Sequence, residues 1–148
     1  MIIVGYQGIG KSTLAGNNNC IDLESGNMWV NGKRAEDWYI PYCQMAVHLS
    51  QQGFTVFTAS HEVVRNQLKN YNEKVVVCYP AEKLQMRWIE KLHDRWIKSN
   101  LDKDYKALAN AEARYLENIN ELSNEKEFYH LVITSMDYDL KEMINELI

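Results

Sequence analysis

The chain has 148 residues, 46% hydrophobic and 24% charged, the size and balance of one globular domain with a single core and no room for a second full domain. Its formal net charge of -4 excludes a general electrostatic attraction to nucleic acid or to an anionic membrane, leaving only a local basic stripe for such contacts. No apolar run approaches the ~18 residues that cross a bilayer, Met1-Ile2-Ile3-Val4 runs straight into a glycine motif rather than a leader cleavage site, and Cys20, Cys43 and Cys78, without a CxxC pair, are expected as reduced thiols.

In chain order, short apolar β-branched runs alternate with helical patterns, the signature of a parallel sheet covered by helices. Strand one is expected over 2–5, a short helix over 11–15 and strand two over 20–23. Asn31-Gly32 then marks a tight turn. A helix over 36–51 carries Trp38, Tyr42, Met45 and Leu49 on one face and stops at Gly53, with Pro41 marking either a kink or the true helix start. Strand three (54–59), a helix (62–69) and strand four (74–79) follow. The insertion 81–126 reads as two helices joined near 99–103, an antiparallel hairpin and a candidate mobile lid. Its first helix sets Leu84, Trp88, Leu92 and Trp96 on one face, with Arg87, Lys91, Arg95 and nearby Lys98 as a basic stripe beside them. Its second repeats an apolar pattern through Tyr105, Leu108, Ala109, Leu116, Ile119 and Leu122. Strand five (129–134) and a helix over 140–147 close the chain. Strands three to five are nearly continuous in Val, Ile, Phe and Tyr, as expected of strands buried on both faces.

Gly5-Tyr6-Gln7-Gly8-Ile9-Gly10-Lys11-Ser12 matches G-x-x-x-x-G-K-[ST], with an apolar strand before it and a helix-capable segment after it. Glycines let successive N–H groups turn inward around phosphate, and the start of a helix adds partial positive charge at the same spot. Lys11 then reaches the β- and γ-phosphates, Ser12 offers its hydroxyl to Mg²⁺, and Thr13 reaches an α-phosphate oxygen. ATP with Mg²⁺ is the expected ligand pair, bound by Gly8, Ile9, Gly10, Lys11, Ser12 and Thr13, with Ser12 as the direct metal ligand.

Strand two ends in Asp22-Leu23-Glu24-Ser25, two acids at the carboxyl end of a parallel strand, the edge where open α/β sheets bind ligands. A carboxylate there accepts the proton of an attacking hydroxyl, holds a substrate hydroxyl, or completes a Mg²⁺ shell through water. The plainer reading is that Asp22 caps a turn and Glu24 is solvated. After strand three, Thr58-Ala59-Ser60-His61 lacks the acid that many P-loop proteins place there to steady the metal's water. Ser60 or Thr58 is either its substitute or a helix cap, and His61 is a further acid–base candidate. Lys33, Arg34, Trp38 and Tyr39 mix cations with aromatic faces where a second-substrate pocket is expected, or form an ordinary surface hairpin. Arg87, Lys91 or Arg95 either close onto a transferring phosphoryl group or make a solvated face paired with Glu82, Glu90 and Asp94.

Over nearly its whole length the chain resembles the P-loop kinases of the nucleoside-monophosphate and shikimate kinase type. The phrases Cys20-Ile21-Asp22-Leu23-Glu24-Ser25-Gly26-Asn27 and Ser135-Met136-Asp137-Tyr138-Asp139 also look like those of small kinase-like proteins of bacteriophages and their bacterial hosts. The resemblance implies an α/β, three-layer P-loop NTPase fold: a five-stranded parallel sheet in order 2-3-1-4-5, one domain over 1–148, a helical lid over 81–126, and residues 135–138 near the adenine. It implies an ATP-dependent phosphotransferase acting on a small acceptor, most simply a nucleoside monophosphate or deoxynucleotide, in the cytoplasm, or the host cytoplasm for a phage protein. Lys11, Asp22, Arg87 and Arg95 would serve catalysis, and Asp22, Glu24, Arg34 and Trp38 the acceptor. The alternative is a nucleotide-binding switch that acts through a protein partner. A kinase of nucleic-acid ends would need a basic channel, which the net charge does not encourage, and no membrane partner is expected.

Overall fold

The computed structural model describes residues 1–16 and 19–148. Its elements run β1 (Ile2–Gly5), α1 (Lys11–Leu14), β2 (Cys20–Asp22), β3 (Trp29–Val30), β4 (Lys33–Arg34), α2 (Tyr39–Gln51), β5 (Thr55–Thr58), α3 (Glu62–Leu68), β6 (Val75–Pro80), α4 (Gln85–Ser99), α5 (Asp102–Ser123), β7 (Tyr129–Ile133) and α6 (Leu140–Asn145). Five strands pair in parallel in the order β2-β5-β1-β6-β7. These are the five apolar runs expected as strands. Numbered along the whole chain, the order differs from 2-3-1-4-5 because β3 and β4 enter the count, and they form a separate antiparallel hairpin. The architecture is α/β and compatible with three layers, and no helix among the described residues is long and apolar enough to cross a membrane.

The hydrophobic core follows from this order. β1 lies between β5 and β6, and Ile2, Ile3, Val4, Val56, Phe57, Val76 and Val77 have no exposed surface. Burying each such side chain contributes roughly 1.5–3 kcal/mol. β7 departs from the expectation of burial on both faces: it ends the sheet, and Tyr129 is 62% exposed and Val132 37%. At Asn31-Gly32 both residues take positive φ, +52° and +77°, as an Asn-Gly hairpin turn requires. α2 begins at Tyr39, so Pro41 sits in its first turn, where the missing N–H costs nothing. Its buried face is Tyr42, Cys43, Ala46, Val47 and Ser50, and Met45, expected inside, is exposed because the helix is rolled toward Cys43.

The insertion is the expected helical hairpin, turned at Asn100 with φ +53°. Tyr115 donates from its hydroxyl to the Ala81 carbonyl and Arg95 meets Asp104, so α4 and α5 run antiparallel. α5 departs from helical geometry at Arg114 (φ -138°, ψ 20°) and buries Leu108, Ala111, Tyr115, Ile119 and Leu122. Tyr105, Ala109 and Leu116, expected on the apolar face, point outward, one residue over from that stripe. α6 ends at Asn145, and Asp139 caps its first turn by accepting the Glu142 N–H at 3.2 Å.

Candidate functional site

β1 delivers Gly5 to a loop whose Tyr6 N–H donates to the Cys78 carbonyl of β6 at 2.9 Å. Gly8 and Gly10 then take φ of +88° and +106°, a region that side-chain-bearing residues rarely adopt. Among the described residues, no acceptor engages the N–H groups of Gly8, Ile9, Gly10, Lys11 or Ser12, whereas the Thr13 N–H donates to the Gly10 carbonyl. The Ile9 side chain turns into the core, leaving its backbone to the loop. Lys11 is half-buried and donates to the Gly5 carbonyl at 3.3 Å. Burial pushes its pKa down, and the charge of Asp22 opposes that shift. Ser12 and Thr13 are exposed on α1.

A cleft of about 1130 Å³ runs from this loop past the ends of β2 and β5 to α5. The Tyr42 hydroxyl donates to the Leu23 carbonyl and accepts the Ala59 N–H at 2.9 Å, tying the two strand ends together. Asp22 lines the cleft, with its pKa raised by burial and drawn back by Lys11. Glu24 stands at the mouth, 3.6 Å from Lys103 on the opposite wall. Arg34 donates to the Ser25 hydroxyl at 3.1 Å, and its guanidinium lies over the rings of Trp29 (5.2 Å) and Trp38 (4.4 Å). Trp38 itself stands behind Arg34, edge-on to Tyr42 and His61, and contributes no lining to the cleft.

At the end of β5, Thr58 is fully buried and its hydroxyl donates back to the Ala59 carbonyl, so of the two hydroxyls considered there only Ser60 lines the cleft. His61 also lines it. Desolvation in the cleft wall lowers the imidazole pKa, and Arg34, Lys11 and Arg65 lower it further.

The cations of the insertion divide. Arg95 lines the cleft, held by Asp104 through Nε at 2.8 Å and a terminal nitrogen at 2.7 Å. Asp104 is 3% exposed; burial by itself would raise its pKa, but the Ser99 hydroxyl and the Arg95 guanidinium outweigh it and hold the carboxyl below its ordinary value. Arg87 is apart from the loop, bordering a separate cavity of about 640 Å³ with Lys98 and Met136. Of the segment 135–138, Met136 reaches that cavity, while the Tyr138 hydroxyl donates to the Ile9 carbonyl at 2.8 Å.

Sequence reasoning missed the far wall of the cleft: Lys103, Lys106 and Arg114 of α5, and Arg65 of α3. The α5 residues had a signal, since 103, 106, 110 and 114 recur at helical spacing. Arg65 had none. It is 4% exposed, bonded to Glu125 at 2.6 Å, Glu121 at 3.3 Å and the Ser60 carbonyl at 3.0 Å. Asp22, Glu24, Asp102 and Glu121 interrupt the cations, so the cleft is not a continuous basic channel. No cluster of three or more His, Cys, Asp or Glu among the described residues is placed to hold a metal. No protein-family model matches the chain, and comparison with curated proteins finds no match.

Proposed function

We propose that the chain is an ATP-dependent phosphotransferase with a P-loop kinase fold, the Gly5–Ser12 octet being its phosphate-binding loop. The observation that carries this is the run of N–H groups from Gly8 to Ser12 that meet no acceptor among the described residues, with the desolvated Lys11 ammonium beside it. Amide N–H, ammonium and guanidinium groups only donate, so the complementary ligand is an anion rich in acceptor oxygens, and a polyphosphate chain meets that description. The Ser12 hydroxyl, exposed at the start of α1, fits a single protein contact to Mg²⁺, whose other ligands would be phosphate oxygens and water. When bound, Mg²⁺ supplies neutralisation of charge on the transferring group.

In this reading an acceptor oxygen attacks the γ-phosphorus as the bond to the bridging oxygen breaks, and ADP leaves. Lys11 and Arg95 stabilise the charge on the transferring oxygens, a role in which one donor is typically worth about 10²–10³ in rate. Asp22 faces the acceptor. A hydroxyl acceptor gives its proton to Asp22, whose raised pKa makes it the better base, whereas a nucleoside monophosphate attacks through an ionised oxygen and needs no such transfer. Arg34, flanked by two indoles beside Ser25, supplies an anion contact suited to a phosphorylated acceptor, and Trp29 lines the cleft next to it.

The test is incubation of labelled ATP and Mg²⁺ with nucleoside monophosphates and small alcohols. Transfer to one acceptor class, lost by about 10² or more in Lys11→Ala at unchanged thermal midpoint, is the expected result. Absence of triphosphate uptake by folded wild-type protein in calorimetry overturns it.

A second reading, a nucleotide-dependent switch, is favoured by the end of β5, where residues 58–61 carry no carboxylate and the Thr58 hydroxyl is turned away from the cleft. Gln7 of the loop donates to the Ala107 carbonyl and to Asn110, a direct route from the loop to the insertion. Tight nucleotide binding without transfer to any acceptor selects this reading.

A further inference from the structure

The outward side of the glycine loop is gripped by side chains that do not line the cleft. Trp88 donates from its indole N–H to the Gln7 carbonyl at 2.9 Å, and Tyr138 donates from its hydroxyl to the Ile9 carbonyl at 2.8 Å. Lys91 in turn donates to the Tyr138 oxygen at 2.6 Å. The Trp88 and Tyr138 rings stack with centroids 5.9 Å apart, and the Lys91 ammonium lies over both, at 4.5 and 4.8 Å. α4 also meets the loop by contact: a Cβ added to Gly8 would come within 2.9 Å of Leu92 and 3.2 Å of the Trp88 indole nitrogen.

Two pieces of elementary chemistry turn this grip into a device. An ammonium only donates, so Lys91 occupies a lone pair of the Tyr138 oxygen and directs the phenol's own proton to the loop, where the Ile9 carbonyl is the nearer acceptor at 2.8 Å and the Gly8 carbonyl lies at 3.4 Å. Across a trans peptide, a carbonyl and the N–H that follows it point in opposite directions. Holding the Gln7 and Ile9 carbonyls toward α4 and Tyr138 therefore turns the Gly8 and Gly10 N–H groups away from them, to the side where, among the described residues, they meet no acceptor.

We propose that Tyr138 and Lys91 are positioning residues that set the phosphate affinity of the loop from outside the cleft, Lys91 acting through the Tyr138 hydroxyl. This rests on the loop being the phosphate site. It assigns Lys91 a task different from contact with the transferring phosphoryl group, and it explains why a cation is spent against two aromatic rings.

The decisive variants are Tyr138→Phe, which keeps the stack and removes the hydroxyl, and Lys91→Met, which keeps the stem and removes the charge. Each is measured for ATP affinity at saturating Mg²⁺, for thermal midpoint, and for the Gly10 amide resonance in the nucleotide-free protein. Tyr138→Phe is expected to weaken ATP about tenfold, to shift the Gly10 amide, and to leave the midpoint near wild type. Lys91→Met should give a smaller loss, Lys91→Arg should restore it, and the double variant should be no weaker than Tyr138→Phe alone. An unmoved Gly10 amide in Tyr138→Phe overturns the positioning role without reference to any ligand. So does ATP binding within twofold of wild type in both variants when Lys11→Ala has lost it. If the wild-type protein takes up no triphosphate while the Gly10 amide still moves, the failure lies in the phosphate reading and the affinity proposal falls with it.

Discussion

α4 and α5 lie side by side and both carry polar side chains one residue ahead of their buried stripes, yet most of those side chains serve different cavities. In α4, Arg87 and Lys91 precede the buried Trp88 and Leu92 and border the smaller cavity. In α5, Asn110, Arg114 and Asn118 precede the buried Ala111, Tyr115 and Ile119 and line the cleft. The sequence offset is the same and the chain direction is reversed. On antiparallel helices packed on one core, residues at the same angular offset from the buried stripe project to opposite sides. Arg95 is the exception that borders both cavities, held by Asp104 across the hairpin.

The comparison breaks most completely at Trp88, whose burial sets the roll of α4. Trp88→Ala should cost about 3–5 kcal/mol in urea unfolding, the range for deleting a fully buried large aromatic; a loss below about 1 kcal/mol would show that the helix is positioned by other contacts. Next comes Arg95→Ala, which on the proposed function should lower the transfer rate by about 10² in the protein that remains folded, and should also lower the urea midpoint because the buried Asp104 carboxylate loses its cation. Equal activity in Arg95→Ala and wild type would remove the insertion from the chemistry.

Asp104→Asn tests the tether rather than the cation. It should lower kcat about tenfold and KM less, because Arg95 remains but is no longer held. It also carries a pH signature. The folded carboxyl sits below its ordinary value, so Asp104 stabilises the fold above the ordinary carboxylate range and loses that contribution as pH falls through its depressed folded value. The urea midpoint of the wild type should therefore drop more steeply between about pH 7 and pH 3 than that of the variant. The smallest effect is expected at Arg87, which is exposed and apart from the loop: Arg87→Ala should leave transfer within about twofold. A larger loss would mean that α4 rolls during the reaction.

Much of the fold was legible because it is written in local periodicity. β1, β5 and β6 are apolar runs bounded by turn residues, and the Asn31-Gly32 turn requires a backbone that few other pairs adopt. The errors were errors of roll and of edge. Met45, Tyr105, Ala109 and Leu116 were placed one position away from the faces their helices bury, and β7 was read as doubly buried although it ends the sheet. Apolar content says that a side chain has something to bury, whereas its neighbours decide which way it turns. At the candidate site, the octet 5–12, Asp22, Glu24 and Arg34 were legible from spacing and strand ends. Trp38, expected to hold the acceptor, instead stands behind Arg34 as its support and contributes no lining to the cleft.

Taken alone, the amino-acid order determined the five strands, the helical hairpin and a glycine loop with two positive-φ glycines, because each of these depends on residues near one another in the chain. Only the tertiary structure decided which cations share a cavity with that loop and which side chains hold its carbonyls. Trp88 and Tyr138 reach Gln7 and Ile9 from 81 and 129 residues away. Contacts at that distance leave no periodic trace, and they exist only once packing has set the rotation of α4 against the sheet.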